Sequence, residues 1–262
     1  MELEKDDIPP ILPGVWFGSM SLDHLALLRC DLDDFIAAVS LGPSDAPIAG
    51  CPAWTLTDLG VHLGTVHRWV LGALATGAPP TPDPDDVAPP TGPDELTAWL
   101  RVGADRLLGE LQALDHHAPT WHPFPVEPKV AGLWPRRQAQ EASVHRWDAQ
   151  HAIGLAPTID PALAADGVDE YWTYMLARML IREQRSTPPT RIAVRTTDTG
   201  QRWAVDGSSG MPVSLRVDEP VQAEISGTAE ALLLRLWGRP TDGVVAEGDA
   251  AVIDGWLSLG GS

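Results

Sequence analysis

The sequence predicts a helical bundle followed by a small α+β domain, and three observations carry that prediction. Apolar residues recur three and four apart through the first two thirds of the chain, the spacing of one buried helix face. From Thr190 the pattern changes to short runs that alternate or carry β-formers. Two brief helical stretches then interleave with the later runs, as in an α+β unit. The division expected is residues 1–185 and 186–262, with the boundary near Gln184 to Pro189.

The first helix is expected from Leu22 to about Val39, with Ser21 as its cap, Asp23 in its first turn, and Leu25, Leu28, Leu32, Phe35 and Val39 on its buried face. Gly42-Pro43 stops it. A second helix begins at Thr55 or Thr57, carries Asp58 in its first turn and runs to about Ala75. Its inward row reads Leu59, His62, Val66, Trp69 and Ala73, while Gly60 and Gly64 on a neighbouring row permit close packing. The Pro-rich stretch from Gly77 to Asp94 is a crossover or surface loop, because proline removes donors and fixes φ. Further helices follow at about Glu95–Leu114, Arg136–Ile153 and Pro161–Glu183, with an aromatic loop from His116 to Trp134. Strands are expected at Arg191–Thr196, Arg202–Val205, Val213–Val217, Val221–Ile225 and Val244–Glu247. Helices at Thr228–Trp237 and Ala250–Leu259 complete the chain.

Composition narrows the function classes. A net charge of −18 over 262 residues opposes sequence-independent binding to nucleic acid and to anionic membranes. No apolar run reaches the roughly 18 residues of a membrane span. The acidic start, Met1 to Asp7, is unlike a signal peptide, and Cys30 and Cys51 alone indicate free thiols, so a cytoplasmic protein is expected. Cys30, inside a helix, is expected to be buried and inert.

Chemistry concentrates on two helices. Glu141 and His145 lie four apart and project from one face. His62, from another helix, completes two imidazoles and one carboxylate, a ligand set for zinc or a similar divalent ion with an open position. All three lie about two turns into their helices, depths that permit contact. The competing reading makes His62 a hydrogen-bonded core histidine and the Glu141–His145 pair a solvated face; if all three face one core, an unpaired buried glutamate would be costly. His67 is a poor co-ligand, because five residues turn it roughly 140° from His62. Asp148 is placed to orient an imidazole from behind, or to pair with an arginine. With 11 Trp against 2 Tyr and 3 Phe, an aromatic pocket from Trp54, Trp69, Trp121, Trp134 and Trp147 competes with plain core packing; Trp121 and Phe124 are the foremost substrate-contact candidates.

Three ordered segments, Cys51-Pro-Ala-Trp through His62-Leu-Gly64, Arg136-Arg-Gln through His145-Arg-Trp-Asp-Ala149 and Ala165-Asp-Gly-Val-Asp-Glu170, resemble the mycothiol-dependent maleylpyruvate isomerase family of DinB-like metalloenzymes. The likeness extends to Leu236-Trp-Gly-Arg239. It implies a DinB-like four-helix bundle with a long crossover and a sterol-carrier-like α+β domain. It also implies zinc on His62, Glu141 and His145, and mycothiol, a sugar-based thiol, bound near the metal and the domain junction. An arginine of the second domain serves in that family; Arg239 is the nearest match and Arg235 the competitor, with dipole stabilisation at a helix C-terminus as the plain alternative for Arg239.

The activity implied is isomerisation or S-transfer on a small electrophilic, unsaturated acid-like substrate. A metal-stabilised thiolate adds to a conjugated double bond, and rotation with thiol loss, or retention of the thiol, then separates the two outcomes. Two other classes stay open at this level: a non-catalytic, metal-stabilised protein that binds a ligand or partner, and a thiol-independent metal hydrolase or biosynthetic enzyme. Partners expected are a small-molecule substrate and a low-molecular-weight thiol; oligomeric state is not read from the sequence.

Overall fold

The structure, a computed structural model, describes residues 22–80, 88–90 and 92–260. Four helices form the first layer: α1 (His24–Leu41), α2 (Leu56–Thr76), α3 (Pro93–Gln112) and α4 (Leu133–Ala152). α1 packs chiefly on α4 and α2 on α3, with α1–α3 and α2–α4 contacts closing the bundle. None of the described helices is long and apolar enough to cross a membrane.

Local chemistry sets these boundaries. Asp23, expected inside the first turn, is itself the cap of α1 and accepts from Ala26 N; Ser21 lies outside the described residues. Thr55 and Asp58 close a reciprocal capping box on α2, and Thr57 instead donates to Ser44 O. Much of the proline-rich connection between α2 and α3 falls on residues 81–87 and 91, outside the described residues. Cys30 is exposed, not buried, since α1 turns Leu28, Leu32, Phe35 and Ile36 to the core and Cys30 away from it.

The α2 row is rotated from its expected setting. Leu56, Leu59, Leu63, Val70 and Ala73 are buried, together with Gly60, Gly64 and His67, while His62, Val66 and Trp69 are half-buried along a cavity. The reason is that α2 is apolar over more than one stripe: its glycine row meets α3, where Gly60 faces Leu96 and Gly64 lies against Trp99. The expected close approach at both glycines is present.

The expected fifth helix is continuous but interrupted in register: α5 (Pro161–Glu170), a π-helical turn (Tyr171–Met175) and α6 (Leu176–Glu183). Asp160 caps it, with Pro161 in the first turn. A five-stranded sheet follows, β1 (Arg191–Thr196), β2 (Arg202–Asp206), β3 (Val213–Ser214), β4 (Ala223–Gly227) and β5 (Val245–Gly248), in the order β3-β2-β1-β4-β5. β1 and β4 run parallel and the other pairs antiparallel. β3 is shorter than expected, an edge strand of two residues. α7 (Ala229–Leu236), capped by Thr228, and α8 (Ala250–Leu257), capped by Asp249, pack on the sheet. α7 also packs on α5, which seats the end of α7 beside the bundle.

Candidate metal centre

α2 and α4 bring His62, Glu141 and His145 together. Glu141 Oε1 lies 3.2 Å from His62 Nε2 and 3.4 Å from His145 Nε2. One donor atom from each residue falls within 4.8 Å of the others. Donors about 2.1 Å from an ion at tetrahedral angles sit roughly 3.4 Å apart, so this spacing fits a small divalent cation. The imidazoles meet edge to face, 5.0 Å between centroids, which aims two ring nitrogens at one carboxylate oxygen rather than at each other.

Two of the three candidate ligands, His145 and Glu141, are held from behind. His145 Nδ1 donates to Asp148 Oδ2 at 3.1 Å, which turns Nε2 toward Glu141. Asp148 is in turn gripped by Arg239, through Nε to Oδ1 at 3.1 Å and Nη2 to Oδ2 at 2.7 Å. Glu141 Oε2 accepts from Arg137 Nη2 at 2.7 Å, and Arg137 also pairs with buried Glu170, which Tyr174 supports at 2.6 Å. Burial opposes the charge on Glu141, but Arg137, His145 and His62 together hold its carboxyl well below the ordinary value. Burial likewise opposes protonation of His145, and its bonds to Asp148 and Glu141 overcome it, raising its pKa. A site that draws a proton onto an imidazole between two carboxylates offers the same charge to a cation.

These groups open onto a cavity of about 320 Å³. Trp54, Trp69, Trp134 and Trp237 give it aromatic walls, and Pro123 with Phe124 reach it from the aromatic loop. Trp121 does not line it: the ring packs edge-on against Trp69 at 5.4 Å, because the loop turns Phe124, not Trp121, inward. Trp147 stacks on His151 instead. Cys51 lines the cavity 3.7 Å from Arg239 Nη2, where burial pushes its thiol up, and it is not part of the ligand cluster.

Arg239 and Arg235 part company at the end of α7. Arg235 is exposed and lines no part of the cavity. Gly238, at φ 73°, reverses the chain so that Arg239 N returns to Leu234 O and its side chain enters the cavity across Gly50. A Cβ at Gly50 would lie 2.7 Å from Arg239 Nε, so only glycine leaves that passage open. Arg239 also donates to Trp237 O, so the helix-end role and the Asp148 contact coexist.

Arg137, Gln138, Arg178 and Trp237 line the cavity without having been singled out from the sequence. Gln138 had a signal: it stands three residues before Glu141 and seven before His145, on the same helix face.

Residues 25–150 match the family described as Mycothiol maleylpyruvate isomerase N-terminal domain. Residues 162–255 match the MDMPI C-terminal domain. The chain belongs to the mycothiol-dependent maleylpyruvate isomerase family. Among solved structures it resembles a histidine-to-alanine mutant of the mycothiol-dependent maleylpyruvate isomerase, at 14% identity and TM-score 0.59. The same enzyme without that mutation gives 14% and 0.58. Each likeness covers 87% of this chain and 93% of the other, and at that identity it speaks for the fold. No curated protein matches the chain.

Proposed function

We propose that this family member is a metal-dependent, mycothiol-using enzyme, an isomerase or S-transferase acting on a small electrophilic, unsaturated acid. The observation that carries the reading is the meeting of His62, Glu141 and His145 on the wall of an aromatic cavity. Two imidazoles and one carboxylate suit zinc, as they also suit iron and nickel, and zinc with the thiol would supply an ionised sulfur nucleophile at neutral pH.

The chain's own residues prepare that chemistry. Asp148 keeps the His145 proton on Nδ1, and Arg137 keeps Glu141 ionised. Trp54 stands beside His62 at a tilt of 45°, 4.8 Å between centroids. Arg239, fixed by Asp148, presents a cation from the second domain to the same cavity. A reducing cytoplasm is the compartment in which a free thiol cofactor persists.

The test is zinc titration with thiol-dependent turnover of maleylpyruvate. Bound zinc in about equimolar amount, lost in His62→Ala, with cis–trans conversion that needs mycothiol supports the reading; a product retaining the thiol selects transfer over isomerisation. Full activity after both metal and thiol are removed overturns it.

A further inference from the structure

The protein carries a net charge of −18, yet its cavity is lined by Arg137, Arg178, Arg182 and Arg239 against one carboxylate, Glu141. Three of these cations are accounted for. Arg239 is paired with Asp148, and Arg137 with Glu141 and Glu170. Arg182, largely exposed, pairs with its neighbour Glu183 at 3.0 Å. Arg178 is different: half-buried, it has no carboxylate partner among the described residues, and its guanidinium lies 5.4 Å from the centre of the Phe124 ring. The Glu141 carboxylate acts on it through space but is bonded to Arg137, and a partly desolvated guanidinium with no anion bound to it is costly, the more so beside Arg137 and Arg182.

The helix carrying Arg178 is built to aim it inward. An α-helix turns about 100° per residue, so the extra residue taken up by the π-helical turn at Tyr171–Met175 rotates all that follows by about that angle. Before the turn, Glu170 grips Arg137; after it, Met175, Arg178, Met179 and Arg182 line the cavity. A second residue of the same wall carries an unsatisfied group. Gln138 is buried, lines the cavity, and its carboxamide oxygen has no hydrogen-bond partner among the described residues. Rotation about its last bond presents either the oxygen or the NH2 group to a ligand.

We infer that Arg178 and Gln138 form a subsite for a carboxylate on the electrophilic substrate, Arg178 giving charge and paired N–H donors and Gln138 an amide donor. The inference rests on the proposed enzymatic reading only for what carries the carboxylate. A sugar-based thiol brings hydroxyls and amides, which do not call for an unpaired guanidinium, so the anion is assigned to the electrophile. A planar carboxylate matches the arginine fork, whose charge lies 5.4 Å from the centre of the Phe124 ring, within cation–π range.

The test uses the full-length, zinc-loaded protein and two probes of one shape, crotonate and its neutral amide crotonamide, titrated by the fluorescence of the cavity tryptophans. Crotonate should bind the native protein about 10-fold or more tightly than crotonamide. Arg178→Met should weaken crotonate by about 10- to 100-fold and leave crotonamide within about 2-fold, with zinc affinity unchanged. Arg178→Lys should recover part of the preference, having charge without the fork. Gln138→Leu should show a smaller loss in the same sense. Equal binding of the two probes by the native protein, or equal loss of both in Arg178→Met, overturns the subsite. Thiol-dependent turnover is scored separately: its absence, with Arg178-dependent crotonate binding intact, removes the enzymatic reading and keeps the subsite.

Discussion

Arg239 grips Asp148 with two donors, at 3.1 and 2.7 Å, so the chain beyond α7 holds the residue that orients His145 on α4. The second domain thereby reaches the candidate metal centre through one carboxylate. Asp148→Asn keeps the shape and removes the charge. Zinc affinity should fall by about 10- to 100-fold, the usual consequence of losing a carboxylate behind a ligating histidine. Competition with a chromophoric chelator measures it. Unaltered affinity would mean that Asp148 serves Arg239 alone.

The α2–α3 contact is set by the absence of a side chain. A Cβ on Gly64 would lie 2.0 Å from Trp99 Cζ3, and Trp99 is buried against α2. Gly64→Ala should therefore destabilise by about 1–3 kcal/mol or more, from overpacking. Gly109 on α3 has nothing within 4 Å of the same position, so Gly109→Ala should gain up to about 1 kcal/mol of helix propensity. Urea unfolding of the two variants should thus move in opposite directions; a common direction would refute the packing argument.

Helix faces were legible in the sequence wherever one stripe alone is apolar. α1 buries Leu28, Leu32, Phe35 and Val39 as its spacing requires, while Leu25, in its first turn, is only half-buried. α2 defeats that reading because Leu63 and Val70 on one side and Val66 and Trp69 on another are equally apolar, and periodicity cannot tell core from cavity wall. The grouping of His62, Glu141 and His145 was legible as residue chemistry at helical spacing. Their support was not: Arg137–Glu170 spans 33 residues and Asp148–Arg239 spans 91, and no local pattern encodes such pairs. The π-helical turn leaves no mark that periodicity detects, so the inward aim of Arg178 emerges only from the folded chain.

His67 makes the fold sensitive to acid. It is buried on α2, neither ring nitrogen has a hydrogen-bond partner among the described residues, and burial, helped by Arg68, pulls its pKa down to about 3. The unfolded chain binds a proton at this residue below an ordinary value of 6.5, while the folded chain waits until about 3. Stability is therefore complete above pH 6.5 and is lost as pH falls from 6.5 toward 3. At pH 4.5 the loss through this residue is about 2–3 kcal/mol. His67→Leu should gain on the native protein progressively as pH drops, in urea midpoints taken at pH 7.5 and 4.5. Parallel losses in both proteins would assign the acid sensitivity elsewhere.

Arg239 and Arg235 lie four residues apart, and the structure gives them opposite weight. Arg239 is 4% exposed and is the counter-ion of Asp148, whose side chain is 1% exposed. Arg239→Ala strands that carboxylate without a partner, a loss of about 3–5 kcal/mol when a buried pair is broken. The stranded charge should then turn toward His145, raising its proton affinity and setting proton against zinc, so zinc binding should become more steeply dependent on pH. Arg239→Lys restores charge without two-point geometry and should recover stability only in part. Arg235→Ala, on the exposed side of α7, should change stability by less than about 0.5 kcal/mol and leave zinc binding alone. Thermal unfolding with and without zinc distinguishes the three. Should Arg235→Ala prove the more damaging, the bridge from the second domain to the candidate metal centre would have to be redrawn through the end of α7 itself.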